Sequence, residues 1–348
     1  MTAIDLPAEL ILYIVECLIP SDPPVVFAPG HEITRTLLDL TLVCKLVSKT
    51  ARQLLIKHCL HLDSGNRLSR LLEQGFLTAI EDQDQHSLPS SISLLLSPFP
   101  VEHLNIPPTV YQIDHLSTII SNRLTRLVID VPLRHLYPDD DTHQLHRILR
   151  RAFSRMTALQ EFTSVRDELY LSTIDGVQEP AIWSFWPRLQ RLALYNVDID
   201  SNYFIEALRR CSNLTHLVLV RPDGLAEEVE PEVAGMDASF LPCLQRLIIV
   251  NTGLGFLHTS PFDEEAWERS FVGRLDALRK HRDPEQSDEV TGTIPSYLSL
   301  RMPFGRDDED IEICQEWLAA QAISGRLWGV LDDRQDLLWS DVMKSPVS

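Results

Sequence analysis

Lysine is scarce in this chain. Only Lys45, Lys49, Lys57, Lys280 and Lys344 occur in 348 residues, and 31 Lys and Arg face 50 Asp and Glu, a formal net charge of −19. Such a balance excludes a general nucleic-acid binder, which needs clustered basic residues to neutralise phosphate. The six cysteines (Cys17, Cys44, Cys59, Cys211, Cys243, Cys314) include no C-x-x-C pair. They offer neither a disulfide framework nor a zinc cage, and they suit a reducing compartment. No apolar run is long enough to span a bilayer. The nearest, residues 10–19, is interrupted by Glu16, and Asp5 and Glu9 stand where a signal peptide would carry Lys or Arg. The expected location is therefore cytoplasmic, nuclear or both, with no membrane partner. There is no G-x-G-x-x-G, P-loop or G-x-S-x-G elbow, and neither a cofactor nor an enzymatic activity is expected.

What remains is globular: 44% hydrophobic and 23% charged residues. The length exceeds one core of ordinary size, so a small module plus a large domain is expected. The acidity is partly local. Ten acids lie between Asp307 and Asp341, and a second acidic loop runs through Asp223, Glu227, Glu228, Glu230 and Glu232. Both read as solvated surface.

The expected organisation has four parts: a helical module at 1–62, a helical connector at 63–100, a repeat domain at 101–304, and an acidic helical cap and tail at 305–348. In the module, Leu6, Leu10, Ile14 and Leu18 recur every four residues, which predicts one side of a helix. Pro7 falls in its first turn and Glu9 complements the dipole there. Leu37, Leu40 and Cys44 predict a second apolar stripe, and Ala51, Leu55, Cys59 and Leu62 a third. Three short helices bury little surface alone, so an apolar face is left for a partner or the next domain.

These residues carry a resemblance. Leu6-Pro7-Ala8-Glu9-Leu10, followed by Ile14 and Leu18, resembles the opening of an F-box, and Leu40-Thr41-Leu42-Val43-Cys44-Lys45 resembles its second signature. The resemblance covers about the first sixty residues. It departs from the family at Val47, where many members have Trp, and in the long loop from Pro20 to Arg35. It implies docking to the Skp adaptor, and through it to a cullin, by Leu6, Pro7, Leu10, Ile14, Leu18, Leu40, Val43 and Cys44. It also implies an adaptor that recruits targets for ubiquitin transfer.

Further along, a pattern recurs. Leu124-x-x-Leu127-x-Ile129, the degenerate Leu159-x-x-Phe162, Leu189-x-x-Leu192-x-Leu194, Leu214-x-x-Leu217-x-Leu219 and Leu244-x-x-Leu247-x-Ile249 start 35, 30, 25 and 30 residues apart. Val101 to Ile106 reads as an earlier copy, and Tyr297 to Leu300 as a later strand. This is leucine-rich-repeat logic: each unit adds one strand to a parallel sheet and returns through a helix or loop. The expected fold class is thus α/β, a three-helix F-box-like module followed by an irregular leucine-rich-repeat-like solenoid. Asn196 and Asn251 stand at the repeat's usual Asn position. Residues 311–322 predict a helix with Ile313, Trp317 and Ala320 on one side, capping the end of the solenoid.

Because side chains alternate along a strand, the residues between the leucines face the other way. They form a column of Arg126, Glu161, Arg191, His216 and Arg246, beside one of Val128, Thr163, Ala193, Val218 and Ile248, then one that includes Tyr195. On that reading Arg126, Arg191, Tyr195, His216 and Arg246 bind an acidic or phosphorylated segment of a target protein on the open concave face. Two constellations could instead carry metal chemistry: Asp139, Asp140 and Asp141 with His143 and His146, and His58 and His61 around Cys59. Helix capping is the simpler role for the first, and the second lacks further ligands at defined spacing. A hydrolase or metalloenzyme built on the acidic-His cluster is the alternative from another class, and a scaffold that docks Skp without directing degradation is another.

Overall fold

The computed structural model describes residues 6–73, 89–100, 103–177, 179–229, 236–237, 239–253, 255–256, 264–282, 295–300 and 310–329. Most of the acidic tail lies outside the described residues.

Three helices, α1 (Ala8–Glu16), α2 (Glu32–Leu40) and α3 (Lys45–His58), open the chain. Pro7 sits at the N-cap of α1, and its carbonyl accepts the Leu10 and Ile11 amides. His31 caps α2 through its ring nitrogen, which accepts from Ile33 N at 3.2 Å. The core of this module is small: Val15, Leu37, Val47, Ala51 and Leu55, with Leu18 and Leu40 partly buried against it.

The chain then enters a sheet of eight parallel strands arranged in chain order. They are β1 (Leu60–Leu62), β2 (Ile92–Leu96), β3 (Leu124–Ile129), β4 (Glu161–Ser164), β5 (Arg191–Tyr195), β6 (His216–Val220), β7 (Arg246–Thr252) and β8 (Ser296–Leu300). Between them run α4 (Gly65–Glu73), α5 (Pro107–Ile120), α6 (Leu145–Ser154), α7 (Asn202–Arg209), α8 (Glu264–Arg269) and α9 (Phe271–Arg282), and α10 (Asp310–Ser324) follows β8. Each clear L-x-x-L-x-L copy is a strand, and equivalent positions align: Leu127, Phe162, Leu192, Leu217 and Leu247 are successive register partners. The leucine face packs against Leu68, Val110, Leu149, Phe204 and Phe271 from the intervening helices, forming the larger core.

Three boundaries differ from expectation. The sheet begins at β1, inside the segment assigned to the module, and β2 lies inside the assigned connector. The copy expected at Val101 to Ile106 is not a strand over its described residues, 103–106. Its role as the unit before β3 is taken by Ile92–Leu96, apolar but for Ser93 and buried at every position. A strand buried on both faces shows no alternation to read. Finally, α10 caps no end. It lies across the second face of the sheet, burying Ile313, Cys314, Leu318 and Ala322 among Val128, Ala193, Val218, Ile248 and Leu298. Trp317 is only partly buried and Ala320 is exposed, so the buried stripe is rotated from the expected one.

The long loop after α1 covers the same face. Val25 and Val26 join its core, Val25 N donates to Ile323 O at 2.9 Å, and Phe27 N donates to His58 O at 2.8 Å. His58 thus stands at the joint between module and sheet, its ring beside Phe27. Burial, with Lys57 and Arg126 nearby, lowers its pKa to about 4. An unfolded chain takes up that proton near pH 6.5 while the folded chain resists it, so stability present above pH 6.5 is lost as pH falls toward 4. The loss attributable to this group is roughly 2–3 kcal/mol. The stability difference between His58→Leu and the native chain should shift in the variant's favour by about that amount between pH 7 and pH 4. Chemical denaturation across that range measures it, and a difference independent of pH would assign the acid limb to other groups.

Candidate partner-binding surfaces

The three-helix module sorts its apolar residues onto two sides. Inward go Ile11, Val15, Leu18, Leu37, Leu40, Val47 and Leu55. Outward stand Leu6, Leu10 and Ile14, 50%, 48% and 56% exposed, and beyond α2 Leu42 and Val43, 85% and 66% exposed. Tyr13, Leu38 and Leu46 are exposed as well. Of the eight residues expected to dock an adaptor, Leu6, Pro7, Leu10, Ile14, Val43 and Cys44 are therefore accessible, whereas Leu18 and Leu40 serve mainly the module's own core. Tyr13, Leu38, Leu42 and Leu46 were not among the expected set. Leu42 lay inside the Leu-Thr-Leu-Val-Cys-Lys string that pointed to Val43 and Cys44, so that string held the signal for it. Large exposed apolar residues gathered on one small module mark an association surface.

The second expected surface is differently made. The column Arg126, Glu161, Arg191, His216 and Arg246 is in register across β3 to β7. It is not open. Glu161 Oε2 accepts from Arg126 Nε at 3.1 Å, and Glu161 Oε1 accepts from Arg191 Nη1 at 2.8 Å. Trp328, in a short 3₁₀ turn (Leu327–Gly329) after α10, lies against the column. Its indole Nε1 donates to Glu161 Oε2 at 3.1 Å, and its carbonyl accepts from Arg246 Nη1 at 3.1 Å. The Arg191 guanidinium carbon lies 6.0 Å from the Trp328 ring centre, and the His216 ring meets it edge-on at 6.4 Å. Tyr195 is buried in the same core, which pushes its phenol pKa upward. The expected open concave face is thus partly covered by the chain itself, with Arg191 keeping 38% of its side chain exposed. The physical reason is composition: the neighbouring column (Val128, Thr163, Ala193, Val218, Ile248) is too apolar to be left in water, and α10 covers it.

The acidic-His cluster also resolves. Asp141 accepts from Leu145 N at 2.7 Å and His146 N at 2.9 Å, capping α6. His146 is fully buried, with Nδ1 2.8 Å from Ser172 O. Among the described residues no group of three or more His, Cys, Asp or Glu is placed to hold a metal ion. Asn196 adopts φ +53° at the end of β5, and its Oδ1 accepts from Arg221 Nη1 at 2.8 Å. Asn251 is buried with its Oδ1 accepting Thr252 N. Cys211 and Cys314 are buried, which raises their thiols to about 12 and about 11, so neither is a ready nucleophile.

One cavity of about 460 Å³ opens where β4 and β5 run into their following loops. Its walls include Tyr170, Trp183, Tyr203 and Phe204, with Arg134, Arg150, Glu168, Glu179 and Asp198 supplying charge. The wall after β4 is shaped by the buried Asp167. Its Oδ1 accepts from Leu169 N at 2.8 Å and Tyr170 N at 3.2 Å, bending Leu169 to φ +67°. Burial raises the Asp167 pKa.

No protein-family model matches the chain, and no curated protein matches it. Among the described residues no helix is long and apolar enough to cross a membrane.

Proposed function

We propose that this chain is the target-recruiting subunit of a Skp–cullin–F-box ubiquitin ligase, acting in the cytoplasm, the nucleus or both. One observation carries the reading. The two strings that resemble the F-box signatures are where large apolar residues stand exposed, Leu6, Leu10 and Ile14 on one side and Leu42 and Val43 on the other. Independent core packing is served by a different set, so these side chains have no role inside the chain. The strand order supports the second half of the proposal. Eight parallel strands in chain order, with helices packed on the leucine face, are what a leucine-rich-repeat-like solenoid would give. We read the domain as such a solenoid with its other face closed by α10. It works by proximity and supplies no catalytic residue: the helices hold the ligase while another surface holds the target. Co-purification of Skp and cullin subunits tests the docking, and failure to capture either would remove the proposal. Stabilisation of captured proteins on deletion separates a degradation adaptor from a scaffold that docks Skp for another purpose.

The shortage of lysine fits a chain held beside ubiquitin-transfer machinery. Arg209 and Arg210 are exposed at the end of α7, pairing with Glu206 and lying over Phe185 respectively. In a reconstituted ligase, Arg209→Lys with Arg210→Lys should raise the rate of self-modification severalfold. Equal rates would leave compositional preference as the account of the missing lysines.

A further inference from the structure

With the apolar sheet face closed by α10, a target must be held elsewhere, and the cavity beyond β4 and β5 has the features of such a site. Its volume of about 460 Å³ falls in the range that holds a side chain with its flanking backbone. Tyr170, Trp183, Tyr203 and Phe204 line it, Trp183 and Phe204 from almost full burial and Tyr203 with its ring partly exposed. Around it, Ile174 and Val177 on the loop after β4 are exposed large apolar residues. Val177 lines the cavity itself, and Ile174 lines an adjoining one that shares Arg150 and Glu179 with it.

The charges decide what fits. Both lining arginines are already matched. Arg134 pairs with Glu168 at 2.6 Å and lies over the Tyr170 ring at 5.3 Å. Arg150 pairs with Glu179 at 3.7 Å and donates to the carbonyls of Leu171 and Pro180 at 3.4 and 2.6 Å. Asp198 is left over: it is exposed, and no basic side chain among the described residues pairs with it. Its neighbours Asp200 and Asp223 are also acids, and their proximity, with a hydrogen bond to Asp200 foremost, raises its pKa. A cation entering here would meet the partly exposed Tyr203 ring and the hydrogen-bonded acids Asp198 and Asp200, whose shared proton it would displace, a combination that attracts guanidinium and ammonium groups.

We infer that this cavity receives an arginine or lysine side chain of the target protein, with the target's adjacent apolar residues resting on Val177 and Ile174. The inference deepens the adaptor reading by naming the class of target segment, and the binding it describes does not depend on Skp docking. The probe is the blocked tripeptide acetyl-Leu-Arg-Leu-amide, with acetyl-Leu-Glu-Leu-amide as its counterpart, titrated into the full chain and followed by calorimetry. The Arg peptide should bind and the Glu peptide should bind at least about tenfold more weakly. Asp198→Asn should weaken the Arg peptide about tenfold, and Val177→Lys, at an exposed position that leaves the core untouched, should abolish its binding. Leu10→Asp should bind it like the native chain, which separates failure of this site from failure of the adaptor reading. Equal affinity for the two peptides, no binding of the Arg peptide at millimolar concentration, or indifference to both Asp198→Asn and Val177→Lys would each overturn the inference.

Discussion

Leu10→Asp should abolish capture of the Skp adaptor while leaving thermal unfolding of the free chain close to native. Leu10 is half exposed, so in the free protein the new carboxylate stays solvated and costs little. In a complex it would be buried without a counter-charge, a penalty of about 3–5 kcal/mol, which is roughly a 150-fold to 5000-fold loss of affinity. Leu6→Ala combined with Pro7→Ala should reach a comparable loss by subtraction. Each fully buried Leu is worth about 1.5–3 kcal/mol, and Pro7 sets the entry of α1. Val15→Asp is the contrasting case. Val15 belongs to the module core at 4% exposure, and a charge there should unfold the helices themselves. A pull-down with purified adaptor, paired with circular dichroism, distinguishes these outcomes. Native-like capture by both Leu10→Asp and the Leu6/Pro7 double variant would sink the F-box assignment.

The double reversal Arg191→Glu with Arg246→Glu should cost the fold at least about 3 kcal/mol, the scale for breaking a partly buried charge network from one side. In the folded chain Arg191 satisfies Glu161, and Arg246 satisfies the Trp328 carbonyl. The first substitution sets a second carboxylate beside Glu161 at register-partner distance, and the second leaves the carbonyl without its donor. Unfolding should move down by roughly 5 °C or more for a domain of this size, and loosening of the turn at Trp328 should show as a change in tryptophan fluorescence. A surface built for a target alone would predict unchanged stability and lost capture; a melting temperature equal to the native one would favour that view.

The repeating half of the fold was legible because its signal is local and redundant. L-x-x-L-x-L states both the strand and its inward face, and five copies agree on the register that places Leu127, Phe162, Leu192, Leu217 and Leu247 side by side. β2 was missed because Ile92–Leu96 is apolar at nearly every position and so shows no period. Of the fourfold stripe, Leu6, Leu10 and Ile14 are exposed, but Leu18 lies past the last residue of α1, Glu16, where the spacing no longer keeps it on that side. The destination of the arginine column was not legible at all. Nothing in the strands says that Trp328, some 80 residues beyond β7, will insert its indole against Glu161. Periodicity reports which way a side chain points; what arrives to meet it is settled by tertiary packing. The same holds for Asp198, whose significance lies in a cavity assembled from the loops after β3, β4 and β5 and the start of α7.

The hydrogen bond from Val25 to Ile323 joins positions about 300 residues apart, and it has a consequence for how the chain is made. The leucine face can be covered as each strand and its helix leave the ribosome, because its partners are sequence neighbours. The opposite face cannot. Val128, Ala193, Val218 and Ile248 wait for α10 and Trp328, and the roughly 75 residues between Thr252 and Trp328 take about 4–15 s to synthesise at 5–20 residues per second. For that interval a nascent chain presents an apolar sheet that lacks the cover of α10 and Trp328, the condition under which chaperones are engaged and aggregation competes. Closing so long a loop is also slow on entropic grounds. Yield of the native protein should therefore track growth temperature and chaperone supply far more steeply than its equilibrium stability alone would suggest.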